Sequence, residues 1–172
     1  MSTPATFSSR RLHSAVAVCL VALALVRGGT VRTESQAAGG DVAVVVNPGV
    51  PVDNLTLAEL RRLLLGDREF WTAGMRVTLL IRAPVAHERD AAVRDVCQMS
   101  EAQFRQHWIG KVFRADAATG PRIVYSAEMA MDQVIKTPGA MTFVAASAAR
   151  TGGGKIVKID GKLPGQAGYP LK

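Results

Sequence analysis

Residues 77–98 read VTLLIRAPVAHERDAAVRDVCQ. An apolar run, 77–81, ends at Arg82, and a short loop containing Pro84 follows. A charged segment with helical spacing then runs from about His87 to Gln98, with Val93, Val96 and Cys97 on its inward side. A buried strand that hands over to a helix is the unit from which α/β domains are built. The same stretch poses a chemical question. A helix N-terminus presents free backbone N–H groups and a partial positive charge. Arg82, at the carboxyl end of the strand, adds a planar fork suited to an oxyanion. Ligands of open α/β sheets sit just there. The opposing reading is that Arg82 pairs with Glu88 or Asp90 and closes off the end of the domain. From these residues alone both readings stand.

The handover recurs to either side. VAVVV, 42–46, is a continuous apolar run that predicts a strand covered on both faces, as in a parallel sheet. Thr56 and Glu59 form a capping box that starts a helix at Leu57, with Leu57, Leu60, Leu63 and Leu64 on one face and Gly66 as the stop. Phe70 and Trp71 lie in a connector and cover the edge of the core. Ser100 and Gln103 form a second capping box, opening a helix with Phe104, Trp108 and Val112 as its apolar stripe. A short strand over 122–125, a helix capped by Ser126, a strand over 141–144 and a last strand over 155–159 complete the pattern. Asp160-Gly161 is a hairpin-type turn. Strands alternating with helices predict an α/β three-layer domain with a mainly parallel sheet over residues 41–172.

The first 37 residues read differently. Arg10 and Arg11 precede the apolar run 15–26, too short to span a bilayer, which needs roughly 20 residues. This is the pattern of a secretory signal peptide followed by a polar linker, with an uncleaved N-terminal anchor as the alternative reading, so the expected location is periplasmic or secreted, with no stable membrane span after cleavage. Cys19 lies inside the apolar run behind Val18, which does not suit lipidation. Cleavage after Ala37 would leave Cys97 as a lone, buried core thiol. The chain carries 21 Lys+Arg against 14 Asp+Glu. Arg10, Arg11, Arg27, Arg32 and Glu34 precede residue 38, leaving a mild net charge of +4 for the remainder. With few aromatics and none interleaved with basic residues, the composition gives no argument for nucleic acid.

Chemistry-bearing patterns are sparse. His87 and His107 stand apart, HERDA lacks the second histidine of a zinc motif, and one cysteine cannot build a zinc site, so neither metal nor cofactor is expected. No GxSxG is present, and TGGGK (151–155) lacks the spacing and the following hydroxyl of a phosphate-binding loop. Asp67/Glu69 and Glu88/Asp90 are expected on solvated surface. No enzyme can be assembled from these parts.

Four stretches resemble a known family. VVVNPGVPVDNLTLAELRRLLLG (44–66) followed by FW (70–71) resembles the start of the second lobe of the periplasmic phosphate-binding proteins of ABC transporters. RVTLLIRAP (76–84) is similar to the strand bearing their phosphate-contacting arginine, TPGAMTFVAASAA (137–149) to a PGAIGYV strand, and VKIDGKLPGQAGYPL (157–171) to their closing segment. The resemblance implies a domain like one lobe of a type II periplasmic binding protein. It implies a non-enzymatic solute-binding module for phosphate or another small oxyanion, with an ABC transporter permease or other envelope protein as partner. Arg82 matches the family's arginine, Ala86, His87 and Glu88 stand where the family has Ser-Gly-Thr, and Arg89 matches a residue that often follows. Glu88 would place a negative charge where the anion should sit. Residues 38–172 are also too few for two lobes of about 100 residues each. The alternative is a degenerate domain without ligand binding, serving as a cell-envelope interaction or accessory module and marked by an exposed apolar patch where the other lobe would sit.

Overall fold

The computed structural model describes residues 40–72 and 74–172. The signal peptide and linker expected over residues 1–37, with Cys19, lie outside them. β1 (Val42–Val46) is fully buried along its length, as five consecutive apolar residues require. It lies inside a five-stranded sheet of order β6-β5-β7-β1-β8, comprising β5 (Thr78–Arg82), β6 (Arg122–Val124), β7 (Ala140–Ala145) and β8 (Lys155–Ile156). β5 runs parallel to β6 and β7, while β1 is antiparallel to β7 and β8. Four strands therefore point one way and β1 alone opposes them. The apolar run predicted cover on both faces correctly. The parallel environment inferred for β1 is corrected, because double burial reports helices on both sides and says nothing of strand direction.

Alternation divides each strand between two cores. Val42, Val44, Val46, Leu79, Ile81, Met141 and Phe143 face α1 (Leu57–Leu64), α2 (His87–Ala91), α3 (Glu101–Phe113) and the tail residues Tyr169 and Leu171. Ala43, Val45, Leu80, Val124, Ala140 and Val144 face α4 (Ala127–Lys136) and α5 (Ala146–Thr151). The result is the expected three layers.

Local signals set the helix starts. Both capping boxes form: Thr56 accepts from Glu59 N–H at 3.2 Å and Ser100 from Gln103 N–H at 3.2 Å, each returned by the partner's side chain. Ser126 caps α4. α2 continues into a wider turn over Ala92–Val96, where Cys97 N–H reaches back to Ala92 O at 3.3 Å. Val93, Val96 and Cys97 face inward as expected. Gly66 ends α1 with φ +68°. The carbonyls freed there are satisfied by α3: His107 Nε2 donates to Leu65 O at 2.9 Å and Lys111 Nζ to Gly66 O at 3.0 Å.

Several expectations change. Phe70 and Trp71 belong to a hairpin, β3 (Phe70–Thr72) with β4 (Met75–Arg76). Trp71 is a core residue whose indole donates to Gly139 O at 2.8 Å, whereas Phe70 is exposed. The strand expected over 155–159 breaks at Val157: β8 pairs with β1, and β9 (Lys158–Ile159) pairs in parallel with β2 (Asn54–Leu55). α5, composed largely of alanine, was not expected. Val112 is exposed, because α3 packs on the core through Phe104 and the partly buried Trp108 and its last turn lies off it.

Candidate functional site

Arg82 is the last residue of β5, opposite Val124 of β6. The chain then turns sharply. Ala83 N–H still bonds Val124 O, Ala86 N–H reaches back to Ala83 O, and Val85 adopts φ +67° with its side chain wholly in solvent. A β-branched residue in the left-handed region is strained. The turn delivers Ala86 as the N-cap of α2, without a side-chain cap. The structure thus brings Arg82, Ala86, His87 and Glu88 around one strand-to-helix turn.

Their side chains do different things. Arg82 and Glu88 are largely buried, 16% and 13% exposed, and lie 3.8 Å apart (Nε to Oε2). That distance pairs the charges but is too long for a hydrogen bond. Arg82 Nε and Nη1 are buried without any hydrogen-bond partner among the described residues. Glu88 therefore does not lie on solvated surface as expected, while Asp90 does, paired with Arg94 at 2.6 Å. The Arg82 charge also reaches Glu128 in the first turn of α4. That exposed carboxyl is held below its ordinary value first by its own backbone N–H and the Ser126 hydroxyl, then by Arg82. His87 is exposed and its Nε2 donates to Gly40 O at 3.3 Å.

Arg89 turns away from this group. It is 7% exposed, its Nε and Nη2 donate to the two carboxylate oxygens of Glu101 at 2.9 and 2.8 Å, and its Nη1 donates to Arg82 O at 3.0 Å. Its guanidinium also lies 5.7 Å from the Phe104 ring centre. Every arm of the fork is occupied, so Arg89 holds the Arg82 backbone in place. The signal that could have found this is Glu101 in the first turn of the next helix. On α3, Ile109, Val112 and Phe113 face solvent. Among the described residues no three His, Cys, Asp or Glu side chains converge as a metal site, and no helix is long and apolar enough to cross a membrane.

No protein-family model matches the chain, and no curated protein matches it. Solved structures do. PstS from Borrelia burgdorferi is similar with TM-score 0.56 and 14% identity, over 72% of this chain and 49% of that one. An ABC-type phosphate transport receptor from Vibrio cholerae has TM-score 0.55 and 17% identity, over 72% and 48%. A protein assigned as a phosphate ABC transporter substrate-binding protein from Clostridium perfringens, solved with bound phosphate, has TM-score 0.54 and 17% identity, over 70% and 45%. The chain spans about half the length of these structures. At such identities the likeness is one of fold: this domain has the α/β fold of phosphate ABC transporter substrate-binding proteins, and the Clostridium and Vibrio neighbours are named as a substrate-binding protein and a transport receptor, not as enzymes.

Proposed function

We propose that this chain is a non-enzymatic solute-binding module that takes phosphate or a similar small oxyanion weakly at Arg82. One observation carries the reading: Arg82 Nε and Nη1 are buried and have no acceptor among the described residues. A buried, unfilled donor costs about 1–3 kcal/mol, and more when charged, so native proteins seldom keep one without a use. An oxyanion at the turn of Ala86 and His87 would fill both. The fold shared with phosphate-binding proteins supports the choice of ligand, and a secreted or periplasmic location beside a transporter permease follows from the same reading.

Glu88 makes the affinity weak. At about 4 Å and an effective dielectric of about 20, two like charges repel by roughly 4 kcal/mol before solvent screening. The partial exposure of this pair reduces that to about 1–2 kcal/mol, or roughly tenfold in affinity. Isothermal titration of the full chain with inorganic phosphate at low salt tests this. Saturable binding is expected for wild type, roughly tenfold tighter binding for Glu88→Gln, and none for Arg82→Gln. If neither wild type nor Glu88→Gln binds phosphate or sulfate, the reading is wrong.

A further inference from the structure

We propose a second ligand site, for an amphiphilic carboxylate, at the end of β5 away from Arg82. β6 joins β5 only from Leu80 onward, so Thr78 and Leu79 have no partner strand on that side. α3 and the loop 117–121 close over this gap and leave a cleft of about 140 Å³. A cavity of about 150 Å³ holds a benzene-sized body.

The charges in the cleft select the ligand. Arg68 is occupied, donating to Phe70 O and Trp71 O at 3.1 Å each. Glu69, the carboxylate lining the cleft, is neutralised by Arg76 at 2.8 Å. Arg122 also lines the cleft and has no ion pair or side-chain hydrogen bond among the described residues. Trp108 lines it too, and its indole N–H is buried without an acceptor among the described residues. One cationic and one neutral donor thus border the same small space, and a carboxylate has an oxygen for each.

The tail has its own place. Trp108 and Gly120 are shared with an adjoining open groove of about 440 Å³, otherwise lined by Ile109, Val112 and Phe113. Phe113 is 90% exposed at the end of α3. A single exposed apolar residue needs no explanation. Here a row of them continues an arginine-lined cleft. A purely apolar ligand would leave the buried Trp108 N–H unfilled and gain nothing from the Arg122 charge, and phosphate would leave the groove in water. A short fatty carboxylate satisfies both parts.

The test is titration of the full chain with octanoate below its micellar concentration, followed by calorimetry and tryptophan fluorescence, with acetate and 1-octanol as controls. Octanoate is expected to bind saturably and shift the emission, with both controls much weaker. Arg122→Gln and Phe113→Ser change exposed side chains, so folding is preserved. Each should weaken octanoate roughly ten- to a hundredfold, while Arg82→Gln leaves it unchanged. Three results would overturn the proposal: no octanoate binding, equal binding by Arg122→Gln, or a Phe113-dependent dimer indifferent to octanoate, which would assign the groove to a second copy.

Discussion

Replacing Arg89 with alanine separates a ligand-binding arginine from a structural one. The substitution removes two parallel charge-assisted hydrogen bonds to Glu101, one hydrogen bond to Arg82 O and the contact with Phe104. Breaking a buried ion pair from one side costs about 3–5 kcal/mol. The Glu101 side chain is 38% exposed, so water replaces part of the loss, and about 2–3 kcal/mol is the appropriate figure. For a domain of this size 1 kcal/mol corresponds to about 3–5 °C, giving a fall in melting temperature of about 6–15 °C by calorimetry of the full chain. The effect depends on pH in a fixed direction. Arg89 hydrogen bonds, the largest influence, hold the Glu101 carboxyl below its ordinary 4.5. Stability from the pair is therefore complete above that value and lost as pH falls through the lowered one. The gap between wild type and Arg89→Ala should narrow in acid to what the Arg82 O hydrogen bond and the Phe104 contact contribute. Combining Arg89→Met with Glu101→Leu, which leaves no unpaired charge, should recover much of the loss. If Arg89→Ala melts within about one degree of wild type yet no longer binds phosphate, Arg89 is a ligand and the structural argument fails.

Asn47 donates from its side-chain amide to Val134 O at 3.0 Å and Ile135 O at 2.7 Å, tying the end of β1 to the last turn of α4. Asn47→Ala should cost about 1–2 kcal/mol in urea unfolding, and Asn47→Asp more, since a carboxylate would face two carbonyls. At Gly154 a β-carbon would lie 2.4 Å from Val45 Cγ1 in the sheet core, so Gly154→Ala should destabilise by about 1–3 kcal/mol, whereas Gly161→Ala meets no atom and tests only its φ of +78°. The Cys97 thiol is buried and pushed up to about 12 by desolvation. Mass-spectrometric mapping with iodoacetamide near about pH 8 should find it unlabelled in the native state and labelled in proportion to unfolding; rapid native labelling would contradict its burial.

The sequence was most legible where the deciding partners lie within one turn. Thr56 with Glu59, Ser100 with Gln103, and Asp160-Gly161, whose φ values of 48° and 78° form the expected turn, are all local. Leu60, Leu63 and Leu64 faced the core as their spacing required. What failed depended on distant residues. An apolar pentapeptide does not encode the direction of its neighbours, so β1 was misjudged. KIVKI splits at Val157 because β1 and β2 draw its halves into different sheets. ASAART carries too few large side chains to show a period, so α5 passed unnoticed. At the candidate site, convergence of Arg82 with Glu88 was legible from six residues of chain, but the role of Arg89 required Glu101, which sits on another helix.

The direction of β1 has a consequence for biogenesis. VAVVV emerges from the ribosome before any strand that can pair with it: Val42 bonds opposite Ala145, Val45 opposite Ile156, and Val42 N–H and O are held by Leu171 O and the Tyr169 hydroxyl. Until β7 emerges the most β-prone segment of the domain is unpartnered, with both edges open to strands of other chains. A nascent chain stalled before β7 should seed aggregates or occupy a chaperone, and folding can close only when the last residues arrive.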